Sequence, residues 1–291
     1  MFQNLNEVSC FMEKTFTFDD QHTVNRLGYG TMQLPGDGVW GPAADPENAP
    51  HVIETAIDSG VNFIDTADAY GPLYANHYLA AALKARPDNH VMLATKVGFT
   101  RQGPGVWTPL GNPDYLKQQI ELNFFSLGVD HINLMQLHRI DPHYPLADQL
   151  NVLKAYQDAG KIDHIGLSQV TVDQLKAAQQ IVPIASVQNQ YNLINRSDED
   201  LLNYAESQHI AFIPWYPLAT GKLITNPTLT TIAQKYDATP AQIALAWLLK
   251  RSDVMLPIPG TKSSDHERQN VRAQDITLSD ADFAALKALA N

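Results

Sequence analysis

The sequence predicts an α/β protein whose eight β/α units close into a TIM barrel, (β/α)8, capped by an N-terminal β-hairpin. Eight apolar segments of strand length alternate with amphipathic helical segments along the 291 residues. A junction of helix, glycine and apolar strand recurs, as in IETAIDSGVNFID, and glycine supplies the left-handed helix cap. Several strand patterns end in a titratable residue, as the strands of a parallel barrel do at its carboxyl rim. The predicted strands lie near 27–30, 62–65, 91–96, 132–138, 163–168, 184–188, 210–215 and 254–258.

An open, doubly wound sheet is the alternative architecture. Such a sheet carries a glycine fingerprint and a helix after its first strand when it binds a dinucleotide. Here the first strand continues as LGYGTM, which lacks both the third glycine and the helix. Eight alternating units therefore favour the closed barrel.

The remaining elements follow in chain order. KTFTFDDQHTVNRLG is typical of a β-hairpin, with Phe16 and Phe18 on one face, and we expect it to cover the amino end of the barrel. Asp45-Pro46 and Asn112-Pro113 each predict a helix start. No linker divides the chain, which predicts a single domain over 1–291 with a possible N-terminal tail at 1–14.

Composition narrows the function class. A net charge of −11 disfavours nucleic acid and anionic membranes as partners, because both repel an acidic surface. The single cysteine, Cys10, excludes an internal disulfide and fits a reducing compartment. No secretory signal or membrane-spanning stretch is evident, so we expect a soluble, cytoplasmic protein with a small-molecule substrate. Nothing in the sequence marks an oligomer interface.

Four polar residues at successive strand ends form the predicted catalytic group: Asp65 and Tyr70 in NFIDTADAYG, Lys96 in VMLATKVG and His138 in INLMQLHR. Reduction of a carbonyl by hydride leaves charge on oxygen, and a proton must arrive there. A tyrosine beside an ammonium can supply it, because the cation lowers the tyrosine pKa. Asp65 would hold Lys96, and His138 would orient the carbonyl.

Other readings remain open for these residues. Taken singly, Asp65 is explained as a helix cap, Lys96 as a rim lysine, Tyr70 as packing and His138 as a core histidine. Lys96 would also suit a Schiff-base aldolase. A metal-dependent hydrolase is disfavoured, since the 10 histidines include no His-x-His pair and no His-Glu-x-x-His, and no metal site is predicted.

An ordered series of segments resembles the aldo-keto reductase family: LGYGTMQ, FIDTADAYG, LATKVG, MQLHR, HIGLSQ, VQNQYN, PWYPLATGKL and IPGTKSSDHERQN. The resemblance implies a barrel that binds NADPH at its carboxyl end and reduces aldehydes or ketones. It also implies that Tyr70 is the general acid, with Asp65, Lys96 and His138 as its partners. The MQL, IGLSQ and VWGP segments resemble bacterial pyridoxal reductases, which makes pyridoxal a candidate substrate. Some relatives are regulatory subunits of channels, so a cofactor-binding regulatory protein is a further alternative.

The resemblance also implies the cofactor contacts, one position at a time. In chain order they serve the nicotinamide ribose, the carboxamide, the nicotinamide ring, the pyrophosphate, the 2′-phosphate and the adenine. The implied residues are Gly30, Thr31, Ser168, Gln169, Gln188, Trp215, Leu218, Thr220, Thr261, Lys262, Ser263, His266, Gln269 and Asn270. Gln169 stands where the family usually has asparagine, and His266 where many relatives carry arginine. Lysine and hydroxyls at a helix start predict NADPH over NADH. Trp40, Tyr74, Trp107 and Tyr191 are candidate walls for a flat substrate.

Overall fold

The barrel sheet contains seven parallel strands that follow one another in chain order. The computed structural model describes residues 14–218 and 226–290. After the hairpin strands β1 and β2, seven strands form the sheet, and β6 and β7 make a separate antiparallel pair. The strands are β1 Thr15–Thr17, β2 Thr23–Asn25, β3 Tyr29–Gly30, β4 Phe63–Asp65, β5 Met92–Val97, β6 Phe99–Thr100, β7 Thr108–Pro109, β8 Ile132–Leu137, β9 Ile162–Ser168, β10 Ser186–Gln188 and β11 Ala211–Phe212.

The eighth predicted strand, near 254–258, closes the ring without forming a regular strand. On one side Phe212 exchanges backbone hydrogen bonds with Val254 and Leu256, both 2.8 Å long. On the other side Gly28 N donates to Pro257 O at 2.9 Å. Pro257 and Pro259 have no backbone N–H, so the segment cannot complete a ladder. The predicted (β/α)8 barrel is therefore confirmed, with proline limiting its last strand.

Helices follow the strands around the outside of the barrel. They are α1 Asn48–Asp58, α2 Tyr74–Ala85, α3 Pro113–Leu127, α4 Leu146–Asp158, α5 Val172–Gln179, α6 Glu199–Ser207, α7 Pro227–Lys235, α8 Pro240–Arg251, α9 Ser264–Val271 and α10 Asp280–Lys287. In the described ranges, no helix is both long and apolar enough to span a membrane.

The predicted helix signals were mostly right. Asn112 caps α3 by accepting hydrogen bonds from Asp114 N and Tyr115 N. Gly128, which follows α3, has φ 67° as a left-handed cap requires. At Asp45-Pro46 the predicted capping contact forms, because Asp45 accepts from Asn48 N through its side chain and from Ala49 N through its carbonyl, but regular α1 begins only at Asn48.

The predicted hairpin is confirmed and lies at the amino end of the barrel. Phe16 pairs with Val24, and both side chains are buried. The ring of Phe18 stacks on the ring of Phe63, at the start of β4, with 6.2 Å between the ring centroids. The hairpin therefore covers the barrel floor and leaves the carboxyl rim free. Most of the predicted tail, residues 1–13, lies outside the described residues.

Glycine is required at Gly166, in the middle of β9, because its neighbours take the space of a side chain. A Cβ there would lie 2.1 Å from Ser186 Oγ and 2.9 Å from Gln136 Cγ. Gly166 therefore allows Gln136, on the adjacent β8, to lie flat against β9.

We predict that Gly166→Ala destabilises the protein by about 1–3 kcal/mol, since the added methyl overpacks a rigid core. Chemical unfolding of the variant and the wild type measures this difference. The double variant Gly166→Ala, Ser186→Gly removes the nearest obstructing atom and should recover part of the loss. Equal stability of the wild type and Gly166→Ala would contradict the steric account.

Candidate active site

Lys96 lies at the centre of the polar group. Its side chain is fully buried on β5, and its ammonium makes three hydrogen bonds. Nζ donates to Asp65 Oδ1 at 2.5 Å, to Thr66 O at 2.9 Å and to Tyr70 Oη at 3.0 Å. An ammonium has three N–H groups, so its donor capacity is fully used. Three of the four predicted catalytic residues are therefore in direct contact.

Asp65 is held from its other side by two amides. Its Oδ2 accepts from Gln136 Nε2 at 3.0 Å and from Gln188 Nε2 at 2.9 Å. Sequence reasoning missed Gln136, although it pairs with Lys96 in register and precedes His138 by two residues on the same strand face. Gln188, expected at the cofactor carboxamide, binds Asp65 through its amide nitrogen.

Burial and neighbouring charges shift the pKa values of Lys96 and Tyr70 in opposite directions. Burial by itself lowers the pKa of Lys96, but its interactions with Asp65 and Tyr70 together outweigh burial and raise the pKa, so Lys96 stays charged. Burial raises the pKa of Tyr70 above its ordinary value of 10.0, and Lys96 lowers it only part of the way back. The expected net lowering of the Tyr70 pKa is therefore wrong, although the expected direction of the lysine's effect is right. Tyr70 remains a protonated phenol at neutral pH.

His138 completes the group as a neutral ring. Burial lowers its pKa well below 6.5, and the positive charges of Lys96 and Arg139 lower it further. Its ring centroid lies 5.9 Å from that of Tyr70 and 4.6 Å from that of Phe99. Within the described part of the chain, Nδ1 has no hydrogen-bond partner. His138 thus offers an uncharged imidazole beside the phenol.

A second carboxyl, Asp68, was missed by sequence reasoning. It is buried, and neither carboxyl oxygen finds a hydrogen-bond partner among the described residues. Burial raises its pKa well above 3.8. Burial therefore favours the neutral form of Asp68, and the hydrogen bond of Lys96 to a carboxyl goes to Asp65.

Two adjoining cavities meet at Tyr70. Their volumes are about 540 Å3 and about 490 Å3. The residues that line both are Met32, Tyr70, Gln188, Trp215 and Tyr216. Tyr216, which sequence reasoning did not select, has φ 52° and turns its backbone at this junction. The phenol is therefore accessible from two binding spaces.

The larger cavity contains many of the predicted cofactor residues. Its wall includes Gly30, Gln188, Trp215, Leu218, Thr261 and Lys262. Trp215 Nε1 donates to Gln169 Oε1 at 3.0 Å, so Gln169 orients the indole. Thr31 is fully buried and donates to Thr66, which places it behind the wall. Thr220 lies outside the described residues.

The start of α9 carries the remaining predicted contacts. Ser263 caps the helix by accepting from His266 N at 3.3 Å, and Thr261 Oγ1 accepts from Ser263 N at 3.1 Å. His266 and Gln269 are exposed, whereas Asn270 is buried. Of the residues at or just before the start of α9, Thr261 and Lys262 line the larger cavity, and Lys262 brings a positive charge there.

The smaller cavity has aromatic walls. Phe99, Trp107 and His138 line it, together with Arg139 and Ser168. Arg139 Nη1 donates to Ser168 Oγ at 3.0 Å, so Ser168, expected at the carboxamide, also anchors this guanidinium.

The predicted aromatic walls differ in outcome. Trp107 lines the cavity, and the guanidinium of Arg101 stacks 3.5 Å from its ring centroid. Trp40 lies near the same arginine, at 5.7 Å. Tyr74 is exposed at the start of α2. Tyr191 is a core residue, because it is fully buried and its hydroxyl donates to Glu199.

Comparison with known proteins agrees with this geometry. Residues 26–291 match the Aldo/keto reductase family. This chain belongs to the aldo/keto reductase family. It is 47% identical to an oxidoreductase of Schizosaccharomyces pombe over 264 residues, which cover 90% of this chain and 86% of that relative. It is 39% identical to the pyridoxine 4-dehydrogenase of Escherichia coli K12 over 278 residues, which cover 94% of this chain and 96% of that relative.

Solved aldo/keto reductase structures have the same fold. An aldo-keto reductase of Klebsiella pneumoniae in complex with NADPH superposes with a TM-score of 0.83. The two chains are 27% identical, and the match covers 96% of this chain and 95% of that one. The thermostable aldo-keto reductase Tm1743 has a TM-score of 0.81, with 28% identity over 92% of this chain and 96% of that one.

We predict that His138 resists protonation in the folded protein. The unfolded chain binds a proton at this position below about pH 6.5, whereas the folded chain does so only at a lower pH. The free energy of unfolding should therefore fall as the pH falls through that value. In His138→Gln this contribution disappears, which urea unfolding at several pH values can measure. An NMR titration in which the His138 ring protonates above about pH 6.5 would contradict the prediction.

Proposed function

We propose that this aldo/keto reductase uses NADPH to reduce an aldehyde or ketone to an alcohol, with Tyr70 as the proton donor. The observation that carries the proposal is the hydrogen bond from the buried Lys96 ammonium to Tyr70 Oη, at the point where two cavities meet. A proton donor in that position is accessible to a molecule in either space.

The residues would divide the work as follows. Tyr70 donates its proton to the substrate oxygen as negative charge develops there, and Lys96 stabilises the tyrosinate that remains. Asp65 keeps Lys96 charged and fixed, while Gln136 and Gln188 hold Asp65. The neutral ring of His138 donates a hydrogen bond that orients the carbonyl. The raised pKa of Tyr70 suits reduction, because the phenol is protonated before each turnover.

The larger cavity fits a nicotinamide dinucleotide. Its wall combines Asp65 and Tyr70 of the polar group with Trp215, Thr261 and Lys262. Trp215 would face the nicotinamide, and Lys262 with the Ser263 helix start would hold a phosphate. When bound, NADPH supplies the hydride. Related Klebsiella pneumoniae structures contain NADP or NADPH, which supports this choice of cofactor.

The geometry of Lys96 disfavours the Schiff-base alternative. A nucleophilic lysine must be neutral and have a free lone pair. Asp65 raises the pKa of Lys96, and its three donors are all used. The regulatory alternative has no comparable structural feature against it and becomes an outcome of the kinetic test below.

Pyridoxal is the substrate that we propose to test first. The relative at 39% identity is named a pyridoxine 4-dehydrogenase, and the reverse of such a reaction reduces pyridoxal. The smaller cavity has the flat aromatic walls that a pyridine ring can stack on, provided by Phe99 and Trp107. Arg139 adds a positive charge there, which favours an ionised ring hydroxyl.

We predict that Tyr70→Phe lowers kcat for pyridoxal reduction by at least about 10²-fold, because the phenol proton is lost. The affinity for NADPH, measured by fluorescence quenching, should stay close to the wild-type value. Tyr74→Phe is the matched control, since it removes a phenol from an exposed position outside the two cavities, and it should keep normal turnover. NADPH consumption is followed by absorbance against pyridoxal, methylglyoxal, a nitrobenzaldehyde and a simple sugar.

The outcomes separate the alternatives. Normal turnover in Tyr70→Phe would refute Tyr70 as the proton donor. NADPH binding without turnover of any carbonyl by the wild type would favour the regulatory role. Turnover of other aldehydes but not of pyridoxal would retain the reductase and reject the substrate.

A further inference from the structure

A second cluster of titratable side chains lies at the opposite end of the barrel, under the hairpin. Asp19 and His22 belong to the hairpin turn, and His164 lies near the start of β9. One ligand atom from each of the three lies within 4.8 Å of the other two. The sequence motifs did not reveal it, because His164 is distant in the chain from the hairpin.

We propose that Asp19, His22 and His164 form a binding site for a divalent transition metal of the Zn2+ class, which links the hairpin cap to the barrel. A set of two imidazole nitrogens and one carboxylate oxygen binds Zn2+ in preference to Ca2+ or Mg2+. Three protein ligands leave a fourth position for water.

The distances suit the proposed coordination. Ligand atoms around a tetrahedral Zn2+ are separated by about 3.3 Å, given bonds of about 2.0 Å. Asp19 Oδ1 lies 2.9 Å from His22 Nδ1, and Asp19 Oδ2 lies 3.1 Å from His164 Nε2. The separation of the two histidine nitrogens is within 4.8 Å, so the histidine rings must move closer together to admit the ion.

His164 presents an unsatisfied nitrogen to this site. Its Nε2 is buried and has no hydrogen-bond partner in the ranges the structure describes, although Asp19 Oδ2 is near. A metal ion bound between these atoms would give His164 Nε2 a partner.

Neighbouring groups support the ligands. Asp19 Oδ1 accepts the backbone N–H groups of Gln21 and His22, each at 2.8 Å, which fixes the carboxylate. The other ring nitrogen of His22, Nε2, lies 3.2 Å from Asp163 Oδ2. A carboxylate behind a metal-binding histidine fixes its tautomer and orientation. Asp19 and Asp163 together would balance the two positive charges of the ion.

Titration of the untagged, EDTA-treated protein with Zn2+, followed by calorimetry, tests the site. We expect one Zn2+ per chain, a visible spectrum of tetrahedral Co2+ when Co2+ replaces Zn2+, and a higher Tm with Zn2+. His22→Gln and His164→Gln should each lose stoichiometric binding. Asp163→Asn should weaken binding by about 10- to 100-fold, because His22 loses its orienting partner.

His209→Gln is the matched control. His209 also contacts the hairpin, with Nε2 3.1 Å from Thr17 O, but it is not part of the cluster. It should bind Zn2+ as the wild type does. No stoichiometric Zn2+ binding by the folded wild type would overturn the proposal, and so would full binding by both His22→Gln and His164→Gln. Circular dichroism verifies folding, and the wild-type titration is decisive even if a variant unfolds.

Discussion

The ion pair between Lys96 and Asp65 is the interaction on which the rest of the site depends. Both side chains are almost completely removed from water, and an isolated charge there would cost several kcal/mol. Each polar atom of the pair therefore needs a partner, and Thr66 O, Tyr70, Gln136 and Gln188 provide them. Because these partners come from β8, β10 and the loop after β4, the charge is stable only inside the closed barrel. The closed barrel thus both stabilises the Lys96–Asp65 pair and positions Lys96 beside Tyr70.

The two ends of the barrel differ: the polar group and its cavities lie at the carboxyl end, and the hairpin covers the amino end. At the carboxyl rim, loop residues such as Val39 and Trp107 line the smaller cavity, and Arg101 joins the loops by donating to Val39 O and Ala69 O. At the amino end, the hairpin buries Phe16 and brings Asp19 and His22 to β9. Substitutions under the hairpin can therefore alter stability and the proposed metal binding at a distance from the polar group around Lys96.

The sequence predicted the barrel, the hairpin and the contacts of Lys96 because these depend on local patterns. Period-two burial places Gln136 and His138 on one face, and glycine marks the helix ends. Properties set by tertiary burial were not predictable. The pKa of Tyr70 is raised because desolvation exceeds the effect of Lys96, and no local pattern gives that balance. Tyr191 is an aromatic residue of the kind that lines binding sites, but it packs against Phe212 and Trp247 in the core. His22 and His164 meet only because the hairpin folds under the barrel.

The central claim is that the charge of Lys96 makes Tyr70 an effective proton donor. The most direct test measures kcat for carbonyl reduction and the Kd of NADPH in Lys96→Met, a variant of similar length without charge. The account predicts that kcat falls by at least about 10²-fold while the Kd for NADPH changes little, because the charge acts on proton transfer. Lys96→Met with wild-type kcat, in a correctly folded protein, would contradict the account.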